Sequence, residues 1–182
     1  VTVGPNDGMT DTDRAVTVRS VPWDHADATA LRAAMAQEMS QRYADRITEA
    51  GLPAAQAVAA DEIAYTGLAV DEHGRAVGHV ALRWIGADLE MKRVYVVPGA
   101  RGRGVAAALL AAVEREALAR GAARLVLQTG DRQPDAVRLY ERNGYAPIPV
   151  FPPYDTLPFS LCFARTLAAT TPERAARTPH RC

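Results

Sequence analysis

The sequence predicts an α/β (α+β) domain, and three observations carry that expectation. Over residues 90–112 a β-branched run, Val94, Val96 and Val97 around Tyr95, leads into a Gly-rich turn and then an Ala- and Leu-rich helical stretch. Two apolar runs, 63–71 and 75–85, flank the turn Asp71-Glu72-His73-Gly74 as the arms of a hairpin would. Strand and helix patterns then alternate along the chain, for about six strands and about four helices. A chain of 182 residues is one domain's worth, long enough to bury a sizeable core.

Residues 1–14 carry Gly, Pro, Asn, Asp and Thr without periodicity and are expected to form a disordered arm, leaving residues 15–168 as the folded domain. Residues 15–20 alternate as a first strand. Pro22, Asp24 and Asp27 then signal a helix start, and Leu31, Met35 and Met39 at i,i+4 spacing mark a face for packing. Residues 45–60 look like a second helical stretch broken at Gly51 and Pro53. After the hairpin, residues 88–97 complete an antiparallel meander. His73 belongs to the hairpin turn, whereas His79 either faces a pocket or sits hydrogen-bonded inside the sheet, the latter being favoured.

Pro98 stops the third meander strand, because it cannot donate to a ladder. Val105, Leu109, Ala112 and Val113 recur at spacings of three and four, so residues 104–120 form a helix with one buried face, and Glu116 and Arg120 pair on the other. Gly121 supplies a left-handed cap. Residues 124–129 read as a strand, Pro134 opens the next helix and Asn143-Gly144 closes it. Residues 146–158 hold several prolines around Phe151 and Tyr154, either a rigid aromatic wall or a connector. Residues 157–167 give the last strand, and residues 169–182 a flexible tail.

The turn at 101–104, Arg-Gly-Arg-Gly, carries the most chemistry. The first N–H groups of a helix lack internal partners and sit at the positive end of its dipole, so Gly102, Arg103, Gly104, Val105, Ala106 and Ala107 can present donors to an anion. Arg101 and Arg103 add charge suited to a diphosphate. Gly102, Gly104 and Ala107 also satisfy the dinucleotide fingerprint G-x-G-x-x-A. A nicotinamide or flavin binder, however, places Asp or Glu about 20 residues on to hold a ribose. The strand at 124–129 ends instead in Gln128 and Thr129.

Two motifs resemble those of the GCN5-related N-acetyltransferases (GNAT). Arg101, Gly104 and Ala106 fit Gln/Arg-x-x-Gly-x-Gly/Ala after a strand, and residues 133–145, QPDAVRLYERNGY, resemble N-x-x-A-x-x-[LF]-Y-x-x-x-G-[FY]. Ala136, Leu139, Tyr140, Gly144 and Tyr145 fall in place, with Gln133 where the family usually has Asn. The resemblance covers residues 16–167. It implies a GNAT-like mixed, mostly antiparallel twisted sheet of six to seven strands flanked by about four helices.

It further implies an N-acetyltransferase acting by direct attack of a primary amine on acetyl-CoA. The pantetheine arm would pair with Val94, Tyr95 and Val96 and reach Gln133, while the diphosphate would rest on residues 101–107. Val96 N–H would bind the thioester oxygen, Glu90 would take the amine proton through water, and Tyr140 would protonate the leaving thiolate. Arg42 and Tyr43, near the connection that walls the acceptor pocket in this family, are the substrate-side candidates. The competing expectation is an acyl-CoA sensor without turnover.

Lys plus Arg equals Asp plus Glu, 21 each, which argues against a general nucleic-acid or membrane-surface binder and favours a small-molecule acceptor. No apolar run approaches the ~18 residues that span a bilayer, so a soluble cytoplasmic protein is expected. Cys162 and Cys182 suit neither a structural disulfide nor a metal site, so no metal is expected. A homodimer paired through the last strand is possible.

Overall fold

The computed structural model describes residues 16–46 and 58–167. Most of the stretch at 45–60, the proposed arm and tail, and Cys182 lie outside the described residues. Among them the elements are β1 (Thr17–Ser20), α1 (Ala26–Arg42), β2 (Ile63–Val70), β3 (Ala76–Ile85), β4 (Asp88–Val96), α2 (Val105–Ala119), β5 (Arg124–Gly130), α3 (Pro134–Arg142), β6 (Ala146–Ile148) and β7 (Ser160–Thr166). They form one seven-stranded sheet in the order β1-β2-β3-β4-β5-β7-β6. Every neighbouring pair is antiparallel except β4 and β5, which are parallel. A parallel pair needs a crossover, and α2 supplies it.

The hairpin turn closes where the sequence places it. Asp71 Oδ1 accepts the N–H groups of His73 and Arg75, and Gly74 adopts φ 76°. Two layers then form, one on each face of the sheet. On one face α2 lays Val105, Leu109, Leu110, Val113 and Ala117 over Val80, Leu82, Leu89, Met91, Leu125 and Leu127. Each such Leu or Val stabilises the fold by about 1.5–3 kcal/mol on full burial. Gly78 lets α2 approach this closely, since a Cβ there would lie 3.0 Å from both Leu109 and Val105 side chains. On the other face α1 packs Ala28 and Leu31 against Leu68, Val70 and Tyr95, with Met35 at the margin.

Two expectations change. The proline-rich segment contains a short strand, β6, which tolerates Pro147 because it lies at the sheet edge. The last strand, β7, is consequently interior. It pairs with β5 throughout and with β6 at Cys162, Phe163 and Ala164, so it offers no free edge there for a second copy.

Candidate functional site

The site begins where β4 and β5 part. Their ladder covers only Leu89↔Leu125, Glu90↔Val126 and Met91↔Leu127. Beyond Met91, β4 follows β3 as far as Val96, while β5 follows β7 as far as Gly130. A gap therefore opens between the strands, edged by backbone groups of β4 that no strand pairs. Within that stretch Arg93 and Val94 together oppose Val80, a bulge, and Arg93 takes φ 56°. Val97 N–H donates to Val77 C=O at 3.0 Å, so Val97 points toward β3 and Val96, its neighbour, points away. The Val96 carbonyl confirms the direction by accepting Arg101 Nε at 3.0 Å. Val96 N–H thus faces the gap.

At the end of β4 the chain turns through Pro98–Ala100 into α2. Gly102 and Gly104 have φ 76° and 78°, and Gly104 precedes the helix without a side-chain cap. A Cβ at either would meet nothing within 4 Å, so these glycines are required by conformation rather than by crowding. The first helical bond here is Ala108 N–H to Gly104 C=O at 3.0 Å, which leaves the N–H groups of Val105, Ala106 and Ala107 outside the helical ladder. Arg103 is exposed at the turn. Arg101 departs from the expectation of a charge reserved for a diphosphate. Its Nη2 pairs with Glu38 Oε2 of α1 at 2.5 Å, and that bond holds its pKa above the usual value. The Val105 side chain is buried under α2 and that of Tyr95 under α1, which leaves their backbones as what they could offer a ligand.

Glu90 is not the open carboxylate foreseen from the sequence. It is 1 % exposed on the α1 face, with Oε2 accepting Arg83 Nε at 2.6 Å and Oε1 accepting the Tyr154 hydroxyl and Lys92 Nζ, the latter at 3.4 Å. Lys92 Nζ also donates to the Tyr154 hydroxyl. Arg83 is held from the other side by Glu62 Oε2 at 3.0 Å. Burial, aided by Arg83 and Arg93, brings the Lys92 ammonium down to about 8 against the opposing pull of Glu90. Lys92 therefore titrates near neutrality at the apex of the gap. Burial and Glu90 push the Tyr154 phenol up, so it stays a hydrogen-bond donor.

Tyr140 lies on the opposite face of the sheet. Its ring packs against Tyr145 and Phe163, with centroids 5.9 and 6.2 Å away, and burial raises its pKa. Gln133 caps α3 just past β5, its N–H donating to Gly130 C=O at 3.1 Å. Tyr140 and Gln133 thus belong to the β5 side of the gap and Glu90 to the β4 side.

Arg42 and Tyr43, the substrate-side candidates, hold α1 down. Arg42 Nη2 pairs with Glu38 Oε1 at 2.9 Å, and its Nη1 donates to Arg132 C=O at 3.3 Å. Tyr43 is buried against Phe159, and its hydroxyl accepts Arg132 N–H at 3.2 Å. It sits so tightly over Gly130 that a Cβ there would lie 1.9 Å from its oxygen. Glu38 thereby links the two arms of the gap, taking Arg101 from the β4 side with one oxygen and Arg42, bound to the segment after β5, with the other.

A sequence model of the "Acetyltransferase (GNAT) family" matches residues 29–145, more than half of the chain. The chain belongs to the GNAT family. It is 38% identical over 90 residues to an IAA acetyltransferase of Azospirillum brasilense, covering 50% of this chain and 59% of that one. It is 40% identical over 75 residues to an Agrobacterium fabrum acetyltransferase, covering 41% and 50%. The chain thus spans about half the length of these curated relatives. A Klebsiella pneumoniae structure described as an acyl-CoA N-acyltransferase is 32% identical and superposes with TM-score 0.69 over 84% of this chain and 98% of that one. A GNAT acetyltransferase of Elizabethkingia anophelis, solved with acetyl-CoA bound, shares the fold at TM-score 0.61 and 16% identity over 87% of this chain and 100% of that one.

In this GNAT domain the sequence reading passed over Lys92 and Arg83, and it met Tyr154 and Glu38 without linking them to the site. Lys92 alone left a local trace, since it follows Glu90 by two residues and so shares its strand face. Among the described residues no group of His, Cys, Asp and Glu could hold a metal, and no helix is long and apolar enough to cross a membrane.

Proposed function

We propose that this domain transfers an acetyl group from acetyl-CoA to a primary amine of a small molecule by direct attack. The observation that carries the reading is the gap between β4 and β5, with Val96 N–H turned into it beside a helix start built on two left-handed glycines. Val94 and Val96 would pair with the pantetheine amides as an added strand does. The diphosphate would rest on the amides of residues 102–107, helped by Arg103. Val96 N–H would stabilise the thioester oxygen as it gains charge.

A primary amine with a pKa near 10 is almost wholly protonated at neutral pH and must lose a proton before attack. With both oxygens of Glu90 engaged, the neutral fraction of Lys92 would take that proton, and Glu90 would keep the resulting ammonium stable. Nitrogen then bonds to the acetyl carbon, the carbon–sulfur bond breaks, the thiolate takes a proton from Tyr140, and the amide nitrogen sheds its surplus proton, which restores the phenol. The equal numbers of acidic and basic residues support a small acceptor over a charged polymer.

The test is calorimetric titration with acetyl-CoA, with NADH for comparison, followed by CoA release with a panel of amines. Micromolar acetyl-CoA affinity and amine-dependent CoA release are expected, and Tyr140→Phe should lower kcat by about 100-fold at unchanged affinity. Binding without CoA release would instead mark an acyl-CoA sensor. Absence of acetyl-CoA binding would overturn the assignment.

A further inference from the structure

The β4 bulge needs a cause, because Arg93 is an unusual residue to find at φ 56°. A left-handed conformation costs a non-glycine residue about 1–2 kcal/mol, and it persists only where its surroundings over-determine it. Among the described residues Arg93 is the one non-glycine at positive φ. Its local sequence, Lys92-Arg93-Val94, contains no Gly, Asn or Asp that would favour a bulge.

The partner that fixes it comes from β3. His79 is fully buried, and its Nδ1 lies 2.9 Å from the Arg93 carbonyl, which belongs to the bulge. The other ring nitrogen, Nε2, lies 3.2 Å from Arg32 Nη1 of α1. These contacts fix the tautomer. A guanidinium can only donate, so Nε2 accepts; a carbonyl can only accept, so Nδ1 carries the hydrogen and donates. Arg32 is itself held, donating through Nη2 to Trp23 C=O at 2.7 Å and Thr29 Oγ1 at 2.9 Å, with its guanidinium 3.6 Å from the Trp23 ring centroid. A hydrophobic residue at 79 would fill the space and remove the donor that His79 gives the bulge carbonyl.

We infer that His79 is a positioning residue for acetyl transfer: its ring, oriented by Arg32, holds the bulge that turns Val96 toward the gap. The inference rests on the proposed acetyl transfer for its functional consequence, but the mechanical part stands on the contacts alone. One extra residue in β4 shifts which backbone groups face β3 and which face the gap. Without the bulge, the alternation beyond Val94 reverses, and Val96 N–H returns to the β3 ladder.

Two conservative substitutions separate this role from simple packing. In His79→Asn the side-chain amide occupies the place of Nδ1 and can still donate to Arg93 C=O, while losing Arg32. In His79→Gln the amide reaches the place of Nε2, keeping Arg32 and losing the carbonyl. Amide hydrogen exchange over residues 92–97, acetyl-CoA affinity and kcat are measured on the folded full chain. The Asn variant is expected to keep exchange and kcat within about three-fold of wild type. The Gln variant is expected to exchange at least about ten-fold faster at Val97, whose N–H leaves the β3 ladder, more slowly at Val96, whose N–H joins it, and to lose at least about ten-fold in kcat, as removal of an oxyanion donor does. Its acetyl-CoA affinity should fall by less than its kcat, because the turn at 102–107 stays in place while the contacts of Val94 and Val96 are lost. Equal behaviour of the two variants, or a Gln variant with wild-type exchange, overturns the inference. If no amine is acetylated by any variant, the proposed function fails alone, and the exchange data still decide the role of His79.

Discussion

Replacing Glu90 by Gln tests the buried charge cluster at the apex of the gap. The substitution keeps the shape and removes one charge from a side chain 1 % exposed, leaving Arg83 and Lys92 with side chains 11% and 8% exposed. Breaking a buried ion pair by removing one partner costs roughly 3–5 kcal/mol. Arg83 retains Glu62, whose side chain is 50% exposed, so the cost falls at the low end, about 3 kcal/mol. At about 2–4 °C per kcal/mol for a domain of this size, the melting temperature should drop by about 6–12 °C. Thermal unfolding followed by circular dichroism at pH 7.5 reads this directly. The difference should narrow at pH 9, because Lys92, already down to about 8 in the wild type, is then mostly neutral in both proteins. A drop smaller than about 2 °C at pH 7.5 would mean that the cluster contributes no net ion pairing, and the argument against Glu90 as an open base would fail.

Three further outcomes are expected. Gly104→Val forces a β-branched residue to φ 78°, so acetyl-CoA affinity measured by calorimetry should fall at least about ten-fold, with about 1–2 kcal/mol of stability lost in denaturant titration. Gly130→Ala drives a methyl group into the Tyr43 hydroxyl, breaks its contact with Arg132 N–H, and should cost about 1–3 kcal/mol by the same titration. Burial lowers the His79 pKa to about 4 from an unfolded value near 6.5, so its ring is neutral in the fold while the unfolded chain gains a proton between those values. Stability should therefore fall by up to about 3 kcal/mol as pH drops from 6.5 to 4, and His79→Asn should lack that share of the slope.

What could be read from the sequence was local. Pro98, the glycines at 102 and 104, and the three-and-four spacing of Val105, Leu109 and Val113 announce strand, turn and helix without reference to the rest of the chain. The spacing of Gln133, Tyr140 and Tyr145 places the second motif in the same way. The features that the sequence does not announce depend on distant partners. Tyr154 reaches Glu90 across 64 residues, and Gly130 meets Tyr43 only once β5 and α1 are assembled. The Arg93 bulge is fixed from 14 residues upstream by His79, so its own neighbours give no sign of it. Strand β6 was hidden by Pro147, which is admissible only because the strand turned out to be an edge.

The double grip of Glu38 makes one carboxylate answerable to both halves of the cleft. Arg101 reaches it from the end of β4, and Arg42 brings it the backbone after β5. The two arms are thus braced from outside the sheet, by a helix that contributes no bond of its own to the ladder. A substitution at Glu38 would release both braces at once, that of the turn at 101–104 and that of the segment after β5. A scaffold arranged in this way can change what it admits by altering a brace instead of rebuilding its frame.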